Sequence, residues 1–236
     1  MKTIKIAHLY YDLMNLYGEN GNIRFLKKKI EDQNVKAEVH FLTIDDEIDF
    51  TKYDLYYIGT GSEENLQLAL NDLKKYKKEI KTAIKDKFFL VTGNALELFS
   101  TNINLKEESI KGLEIFPYNV KEEEFRIVGE QCFTSDYFEG KIIGFQNRSC
   151  SIDNIENNLF KVDIGCGFNP NSQNEGIKEN NFYGTYLLGP ILVRNPNICD
   201  SVVKELFTQN NIPYKKSNKK DNAHKAYEEL IKNFYN

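Results

Sequence analysis

Hydrophobic residues follow two alternating patterns along the first hundred residues of the chain. Residues 3–10, 37–41 and 53–58 are short segments in which apolar side chains alternate with polar ones or run together, which is typical of β-strands. Residues 23–30 and 63–85 instead carry apolar side chains at helical spacing. Strands that alternate with helices predict a parallel sheet with helices on both faces, and ligands of such sheets bind beyond the carboxyl ends of the strands.

Residues 87–99 form the segment around which the rest of the chain is expected to be organised. A continuous apolar run predicts a strand buried on both faces, and a sharp turn follows at Thr92, Gly93 and Asn94. Apolar side chains then recur at helical spacing, which completes a strand–turn–helix elbow. Such an elbow raises the side chain at its tip, here Thr92, to a place where backbone N–H groups hold an oxyanion. A threonine hydroxyl reacts there only if a base takes its proton.

The pattern changes from about residue 110 onwards. Short apolar segments near residues 125–129, 141–145 and 159–162 are separated by Gly, Asn and Asp, which predicts a mostly antiparallel section. The polar residues 165–182 are expected to form a long loop, and an apolar segment at 182–192 ends in a Gly-Pro turn.

The C-terminal part of the chain reads as a helix, a linker and a second helix. The first helix is predicted to begin near Cys199, the basic and polar linker covers residues 213–222, and the last helix covers about residues 222–235. With a length of 236 residues, the chain is expected to form one large domain over residues 1–210, followed by a C-terminal linker and helix over residues 211–236.

Composition excludes several classes of protein. Hydrophobic residues make up 41% of the chain and charged residues 28%, which is ordinary for a globular protein with a sizeable core. The net charge of −4 argues against a nucleic-acid binder, which would carry a basic face. No apolar run is as long as the roughly 18 residues that a membrane-spanning helix needs. The charged N-terminus starts a strand at once and lacks the pattern of a signal peptide, so a cytoplasmic location is expected.

The residue types that bind metals and cofactors are scattered. The four cysteines and three histidines have no metal-ligand spacing, and no P-loop motif is present, so we expect no metal, cofactor or nucleotide site. None of the cysteines lies at the elbow, and no histidine lies near residue 188. His8 is expected to be a residue at a strand end that is held by a hydrogen bond.

Three stretches together carry a resemblance to a known family. They are residues 8–18 with 21–23, residues 144–147 with 175–176, and residues 184–196. The chain resembles the CobB/CobQ-like class I glutamine amidotransferases, and among them the GatD-type glutaminase subunits of lipid II isoglutaminyl synthase, over roughly residues 4–200. The resemblance implies a flavodoxin-like α/β fold in which helices flank a parallel sheet, with an additional antiparallel section.

The family's chemistry implies a catalytic dyad that this chain lacks. In the family, an elbow cysteine attacks the side-chain amide of glutamine, and a histidine on the Gly-Thr-Tyr-Leu-His-Gly-Pro segment acts as the base. Ammonia then passes to a synthetase partner, which is a Mur-ligase-like ATP-dependent enzyme. Thr92 stands at the cysteine position and Leu188 at the histidine position. A thiolate needs a neighbouring base, and leucine cannot accept a proton.

The resemblance also identifies candidate contacts to L-glutamine. The loop at residues 59–63, Gly-Thr-Gly-Ser-Glu, stands where the family has Gly-Gly-Gly-Gln-Asp, which makes Gly61 a candidate. Gly93 and Asn94 stand where the family has two glycines, and the next two residues, Ala and Leu, replace a Tyr-Gln pair. Arg126 stands where the family has an arginine that helps to bind glutamine, so one substrate contact is expected to remain.

Three readings of the function follow. The first is a degenerate amidotransferase subunit, without a cofactor or a membrane span, that acts in peptidoglycan synthesis as the non-catalytic partner of a Mur-ligase-like synthetase. The second is an enzyme of altered chemistry that uses Thr92 or a small molecule bound in the former glutamine pocket. The third is an active glutaminase with a nucleophile elsewhere, which supplies ammonia for amidation of a cell-wall precursor or of a cobyrinate-like carboxylate. The sequence leaves open whether the chain is an enzyme.

Overall fold

The computed structural model of the chain describes residues 2–153, 155–216 and 221–235. Within these ranges, no helix is long and apolar enough to cross a membrane. The strands of the described part join in one sheet. They are β1 (Thr3–Leu9), β2 (Lys36–Leu42), β3 (Leu55–Ile58), β4 (Phe88–Thr92), β5 (Asn102–Asn104), β6 (Ser109–Lys111), β7 (Asn119–Thr134), β8 (Ile142–Ile152), β9 (Asn158–Ile164), β10 (Asn174–Glu179) and β11 (Phe182–Thr185).

Helices and short 3-10 turns connect the strands. The helices are α1 (Asn20–Glu31), α2 (Glu63–Leu73), α3 (Lys77–Ala83), α4 (Ile191–Arg194), α5 (Pro196–Gln209) and α6 (Asn222–Tyr235). The 3-10 turns are Leu16–Gly18, Lys74–Tyr76 and Gly93–Phe99.

The sheet has a parallel half and a mostly antiparallel half. Strands β2, β1, β3, β4 and β11 lie side by side in that order, and all of these neighbours are parallel. The sheet then continues through β10, β9 and β7 in antiparallel pairs, and β8 pairs with β7. The expected fold class, a parallel sheet flanked by helices with an added antiparallel section, is confirmed. The antiparallel section extends the same sheet, because β10 pairs directly with β11.

Each face of the parallel half packs against its own helices. Tyr56 and Phe89 point to the face covered by α2 and α3. Their neighbours Tyr57 and Leu90 point to the face covered by α1 and α5. Because both faces are covered, β3 and β4 are buried throughout, which explains their continuous apolar sequences.

Two predicted helices take other forms. The helix predicted over residues 63–85 is interrupted at Tyr76, whose hydroxyl donates to the carbonyl of Asp46 and accepts from the N–H of Ile48. The segment after the elbow strand is a run of 3-10 turns and not an α-helix. Nearly every residue in it is buried, so core packing sets its shape and no exposed helical face is needed.

The long loop predicted over residues 165–182 is wrong in part, because β10 lies inside it. The sequence of β10 is polar because Glu175 points inwards, where its carboxylate accepts hydrogen bonds from Thr185 and Tyr186. Helix α1 also begins at Asn20, three residues before the predicted start at Ile23.

The predicted last helix is confirmed as α6, and it packs against α4 and α5. Lys29 of α1 lies 3.0 Å from the carboxylate of Asp200 in α5 and 2.9 Å from that of Asp221 before α6. His224 lies 3.3 Å from Asp200, and Tyr227 donates a hydrogen bond of 2.6 Å to the carbonyl of Lys141. Of the predicted linker, residues 217–220 lie outside the described residues.

Candidate functional site

Thr92 and Leu188 come together at the carboxyl edge of the parallel strands. Thr92 is the last residue of β4 and pairs in register with Thr185, the last residue of β11. Leu188 follows three residues later, and its backbone exchanges two hydrogen bonds with Phe145 of β8. A methyl group placed on Gly93 would lie 2.7 Å from Cδ2 of Leu188. The leucine side chain therefore packs directly against the elbow, and both expected dyad positions are buried.

The hydroxyl of Thr92 is held in a buried polar cluster, which we call the Glu19 network. Its members are Glu19, Asn22, Tyr57 and Thr92, and each is fully buried. Thr92 donates to Oε2 of Glu19, and the Tyr57 hydroxyl lies 3.0 Å from the same oxygen and 3.1 Å from the Thr92 hydroxyl. Asn22 donates to the Tyr57 hydroxyl at 2.9 Å. Thr92 therefore faces the protein interior.

Burial raises the pKa of Glu19 from 4.5 to about 7. Hydrogen bonds from Thr92, Tyr57 and the N–H of Gly189 oppose this shift, because they favour the carboxylate. The carboxyl of Glu19 is thus a group that takes up or releases a proton near neutral pH. Chemically, the pair is a hydroxyl beside a base, which is the minimal arrangement for an activated hydroxyl nucleophile.

Side-chain oxygens accept hydrogen bonds from the backbone N–H groups at the elbow. The N–H of Gly61 donates to Oδ1 of Asn94 at 3.0 Å, and the N–H of Asn94 donates to Oγ1 of Thr60 at 3.2 Å. The Asn94 amide also donates to the carbonyl of Gly61 at 2.8 Å. Thr60 fills the space above the turn, since a methyl on Gly93 would lie 2.4 Å from its Cβ. An oxyanion hole needs donors directed at an open position, and these two N–H groups are engaged.

Arg126 lies at the rim of the site. It is exposed on β7, and its Nε donates to Oδ1 of Asn147 at 2.8 Å. Asn147 in turn donates to the hydroxyl of Tyr17 at 2.8 Å. Asn147 lies two residues after Phe145, the residue that pairs with Leu188, which is a distance of about 7 Å along the strand. Among the described residues, Arg126 has no hydrogen bond to Thr92 or Leu188, so it borders the elbow without joining it.

A second buried polar cluster supports the segment that carries Leu188. Glu175 accepts hydrogen bonds from the Thr185 hydroxyl at 2.6 Å and from the Tyr186 N–H at 2.7 Å. The guanidinium of Arg148 lies 4.2 Å from the centre of the Tyr186 ring. Burial raises the pKa of Glu175 to about 7, while its hydrogen bonds and Arg148 act in the opposite direction. These contacts fix the backbone that presents Leu188 to the elbow.

The sequence prediction missed the partners of Thr92. Glu19 and Asn22 lie within or beside the stretches that carry the family resemblance, and Tyr57 lies two residues before the loop at 59–61. No spacing in the sequence links them, because they meet only when α1, β3 and β4 are packed together. The burial of Glu19, which distinguishes it from an ordinary surface glutamate, is visible only in the structure.

The expectation for His8 is wrong. His8 is fully buried near the end of β1, and neither of its ring nitrogens has a hydrogen-bond partner among the described residues. Instead, its ring packs between those of Phe41 and Tyr57, which are its register partners on β2 and β3. Within the described chain, ring packing across the strands holds His8, and no hydrogen bond does.

Metal-binding groups are not clustered in the described part of the chain. No group of three or more His, Cys, Asp or Glu side chains there is arranged to hold a metal ion. Cys132, Cys150, Cys166 and Cys199 are all free thiols, and none lies at the elbow.

Comparisons with known proteins give matches over most of the chain. The family model of the CobB/CobQ-like glutamine amidotransferase domain matches residues 5–196. The GatD subunit of lipid II isoglutaminyl synthase (glutamine-hydrolyzing) from Staphylococcus aureus (strain N315) is 32% identical over 216 residues, which cover 91% of this chain and 88% of that protein. The GatD subunit of the same enzyme from Streptococcus pneumoniae (strain ATCC BAA-255 / R6) is 28% identical over 233 residues, which cover 97% of this chain and 87% of that protein. The family match spans the elbow, the loop at 59–61 and Leu188.

Proposed function

The chain belongs to the CobB/CobQ-like glutamine amidotransferase family, and we propose that it is a GatD-like subunit that does not hydrolyse glutamine. The contact between the elbow and Leu188 is the observation that carries this proposal. Leu188, at the position expected for the base, packs its apolar side chain against Gly93. Thr92, at the position expected for the nucleophile, is turned towards Glu19.

Three requirements of the family's reaction are unmet in this reading. A threonine hydroxyl is a far weaker nucleophile than a thiolate, and Leu188 cannot protonate the leaving ammonia as the family's histidine does. The N–H groups of Gly61 and Asn94 are bonded to side chains, which leaves them unable to hold an oxyanion in this arrangement. Loss of the covalent pathway is expected to cost more than the roughly 10²–10⁴-fold contribution of a general base alone.

The proposed role is that of a structural or regulatory partner. Both relatives are, by name, subunits of lipid II isoglutaminyl synthase, and this chain spans 88% and 87% of their lengths. We therefore place it beside a Mur-ligase-like ATP-dependent synthetase in peptidoglycan synthesis. A cytoplasmic location belongs to the same proposal, and the four free thiols support a reducing compartment.

Ammonia release tests the proposal directly. Purified protein is incubated with L-glutamine, first alone and then with a Mur-ligase-like synthetase, and ammonia is measured against heat-denatured protein. We expect ammonia at the background level and co-elution of the two proteins from a sizing column. Glutamine turnover would refute the loss of glutaminase activity. Failure of the two proteins to associate would refute the partner role.

The contact between Thr92 and Glu19 favours one second candidate, which is an enzyme that uses Thr92 as nucleophile and Glu19 as base. The pKa of about 7 for Glu19 suits a base at neutral pH. If glutamine or another amide is hydrolysed, Thr92→Val should abolish turnover and Thr82→Val, an exposed helix position, should not. Turnover that survives Thr92→Val would instead identify a glutaminase with its nucleophile elsewhere.

A further inference from the structure

A cavity of about 280 Å³ lies between α1 and the edge strand β2. Its apolar walls are Ile23, Val39 and Phe41, and its polar lining comprises His8, Asn20, Arg24 and Lys27. This volume is slightly below the roughly 300–1,000 Å³ of pockets for drug-sized ligands, so it suits a smaller molecule. The cavity is distinct from the elbow, because neither Thr92 nor Leu188 lines it.

Two side chains in this cavity have buried polar atoms without partners. Both ring nitrogens of His8, and the side-chain oxygen of Asn20, are buried and form no hydrogen bond with the described residues. A buried polar atom without a partner is unfavourable, and native proteins satisfy nearly all such atoms. Three orphan atoms on two side chains that line one cavity indicate that something polar binds there.

The charged side chains among the described residues that line the cavity are both positive. Arg24 and Lys27 are one helical turn apart on α1, and no carboxylate is among the described residues that line the cavity. Arg24 forms no ion pair with a described residue, and Lys27 has only a long contact of 3.7 Å to the exposed Glu31. Burial lowers the pKa of His8 to about 4, so its imidazole is neutral and presents one donor and one acceptor at neutral pH.

We propose that this cavity binds a small organic anion whose acidic group is held by Arg24 and Lys27. A hydroxyl group on the same molecule would donate to the Asn20 oxygen, and a neighbouring polar atom would pair with the ring of His8. A short hydroxy-carboxylate or a phosphate of similar size has this chemistry, and the walls formed by Val39 and Phe41 accommodate its carbon skeleton.

The site adjoins the Glu19 network without belonging to it. The ring of Tyr57 lies 5.0 Å from that of His8, between ring centres, and the Tyr57 hydroxyl belongs to the network. Asn20 directly follows Glu19 in the chain. A ligand in the cavity therefore contacts the residues that flank the network, while the test of binding uses no glutamine and is independent of the proposed function.

Nuclear magnetic resonance of the His8 ring tests the proposal. The ¹⁵N-labelled full chain is titrated with L-lactate, with inorganic phosphate, and with sodium chloride at matched ionic strength. We expect at least one of the first two probes to shift the ring nitrogens of His8 saturably below about 10 mM, a range in which weak ligands are detected. A response to lactate alone identifies a carboxylate site, and a response to phosphate alone identifies a phosphate site. Chloride should leave the ring unchanged.

A pair of charge variants on α1 provides the control. Arg24→Gln should weaken binding about tenfold, because it removes a charge-assisted hydrogen bond. Lys28→Gln changes the net charge equally but alters an exposed residue that pairs with Asp32, so binding should be unchanged. Both positions are exposed, so both variants should fold. The proposal fails if no probe gives a saturable shift, if chloride gives the same shift, or if the two variants weaken binding equally.

Discussion

The hydroxyl of Thr92 donates a hydrogen bond to the carboxylate of Glu19, although the two residues are 73 positions apart. Both are fully buried, and Tyr57 contacts both. The tip of a nucleophile elbow ordinarily faces its substrate. In this chain the tip residue instead joins α1 to the end of β4, and its effects on stability can be measured.

At pH 8, where Glu19 is mostly ionised, replacing Thr92 with valine should destabilise the fold by about 2 kcal/mol, since it removes a buried hydrogen bond to a charged acceptor. Valine has nearly the same shape, so the packing around β4 should be kept. The free energy of unfolding in urea measures the change. Thr82→Val is the matched control, because Thr82 lies on the exposed side of α3 and bonds only to the carbonyl of Lys78. Equal effects of the two substitutions would show that the contact with Glu19 contributes nothing.

Stability should depend on pH through Glu19. Its pKa is about 7 in the folded protein and 4.5 in the reference state, so folding takes up a proton between these values. The contribution of Glu19 to stability is therefore fully present below pH 4.5 and is lost as the pH rises through about 7. Glu19→Gln cannot ionise, so the variant should gain stability relative to the original protein between pH 5 and pH 8, by up to about 3 kcal/mol.

Urea unfolding of both proteins at several pH values measures this difference. Glu97 and Glu175 also have a pKa of about 7 because they are buried, but they are present in both proteins and cancel in the comparison. A difference between the two proteins that stays constant from pH 5 to pH 8 would contradict the raised pKa of Glu19.

Restoring the two dyad residues alone should not restore hydrolysis. The double variant Thr92→Cys with Leu188→His supplies a thiol and an imidazole, but the N–H groups of Gly61 and Asn94 stay bonded to side chains. The loss of even one oxyanion donor costs about 10²–10³-fold in rate. We expect background ammonia release from the double variant and detectable release once Thr60→Gly and Asn94→Gly are added. An active double variant would show that the blocked donors do not limit catalysis.

The attachment of α6 should depend on Lys29. Its ammonium bridges Asp200 and Asp221, and Lys29→Met would leave these two carboxylates with only His224 beside them. We expect amide hydrogen exchange in α6 to become about tenfold faster or more, because a charged hydrogen bond contributes about 1.5–3 kcal/mol. Lys28→Met is the control, since Lys28 pairs only with Asp32 on the same helix. Unchanged exchange in Lys29→Met would show that other contacts hold α6.

The sequence prediction succeeded where the spacing of apolar residues decides the local structure. The apolar run that ends at Thr92 was expected to be a strand buried on both faces, and β4 is such a strand. The same reasoning failed at β10, where it expected a loop, because Glu175 is buried by specific hydrogen bonds and not by apolar character. The sequence reasoning also predicted a hydrogen bond for His8, whose ring packs instead against the rings of Phe41 and Tyr57.

The sequence by itself determined the alternation of strands and helices, the resemblance to the amidotransferase family and the identity of the residues at the elbow. These depend on the spacing of apolar residues and on motifs that are contiguous in the chain. Only the tertiary structure decided that Thr92 donates a hydrogen bond to Glu19, that Leu188 packs against Gly93, and that the side chain of Asn94 accepts a hydrogen bond from the N–H of Gly61. Each of these contacts joins segments that are distant in the chain, and their separation in space is set by sheet register and helix packing, which no local pattern encodes.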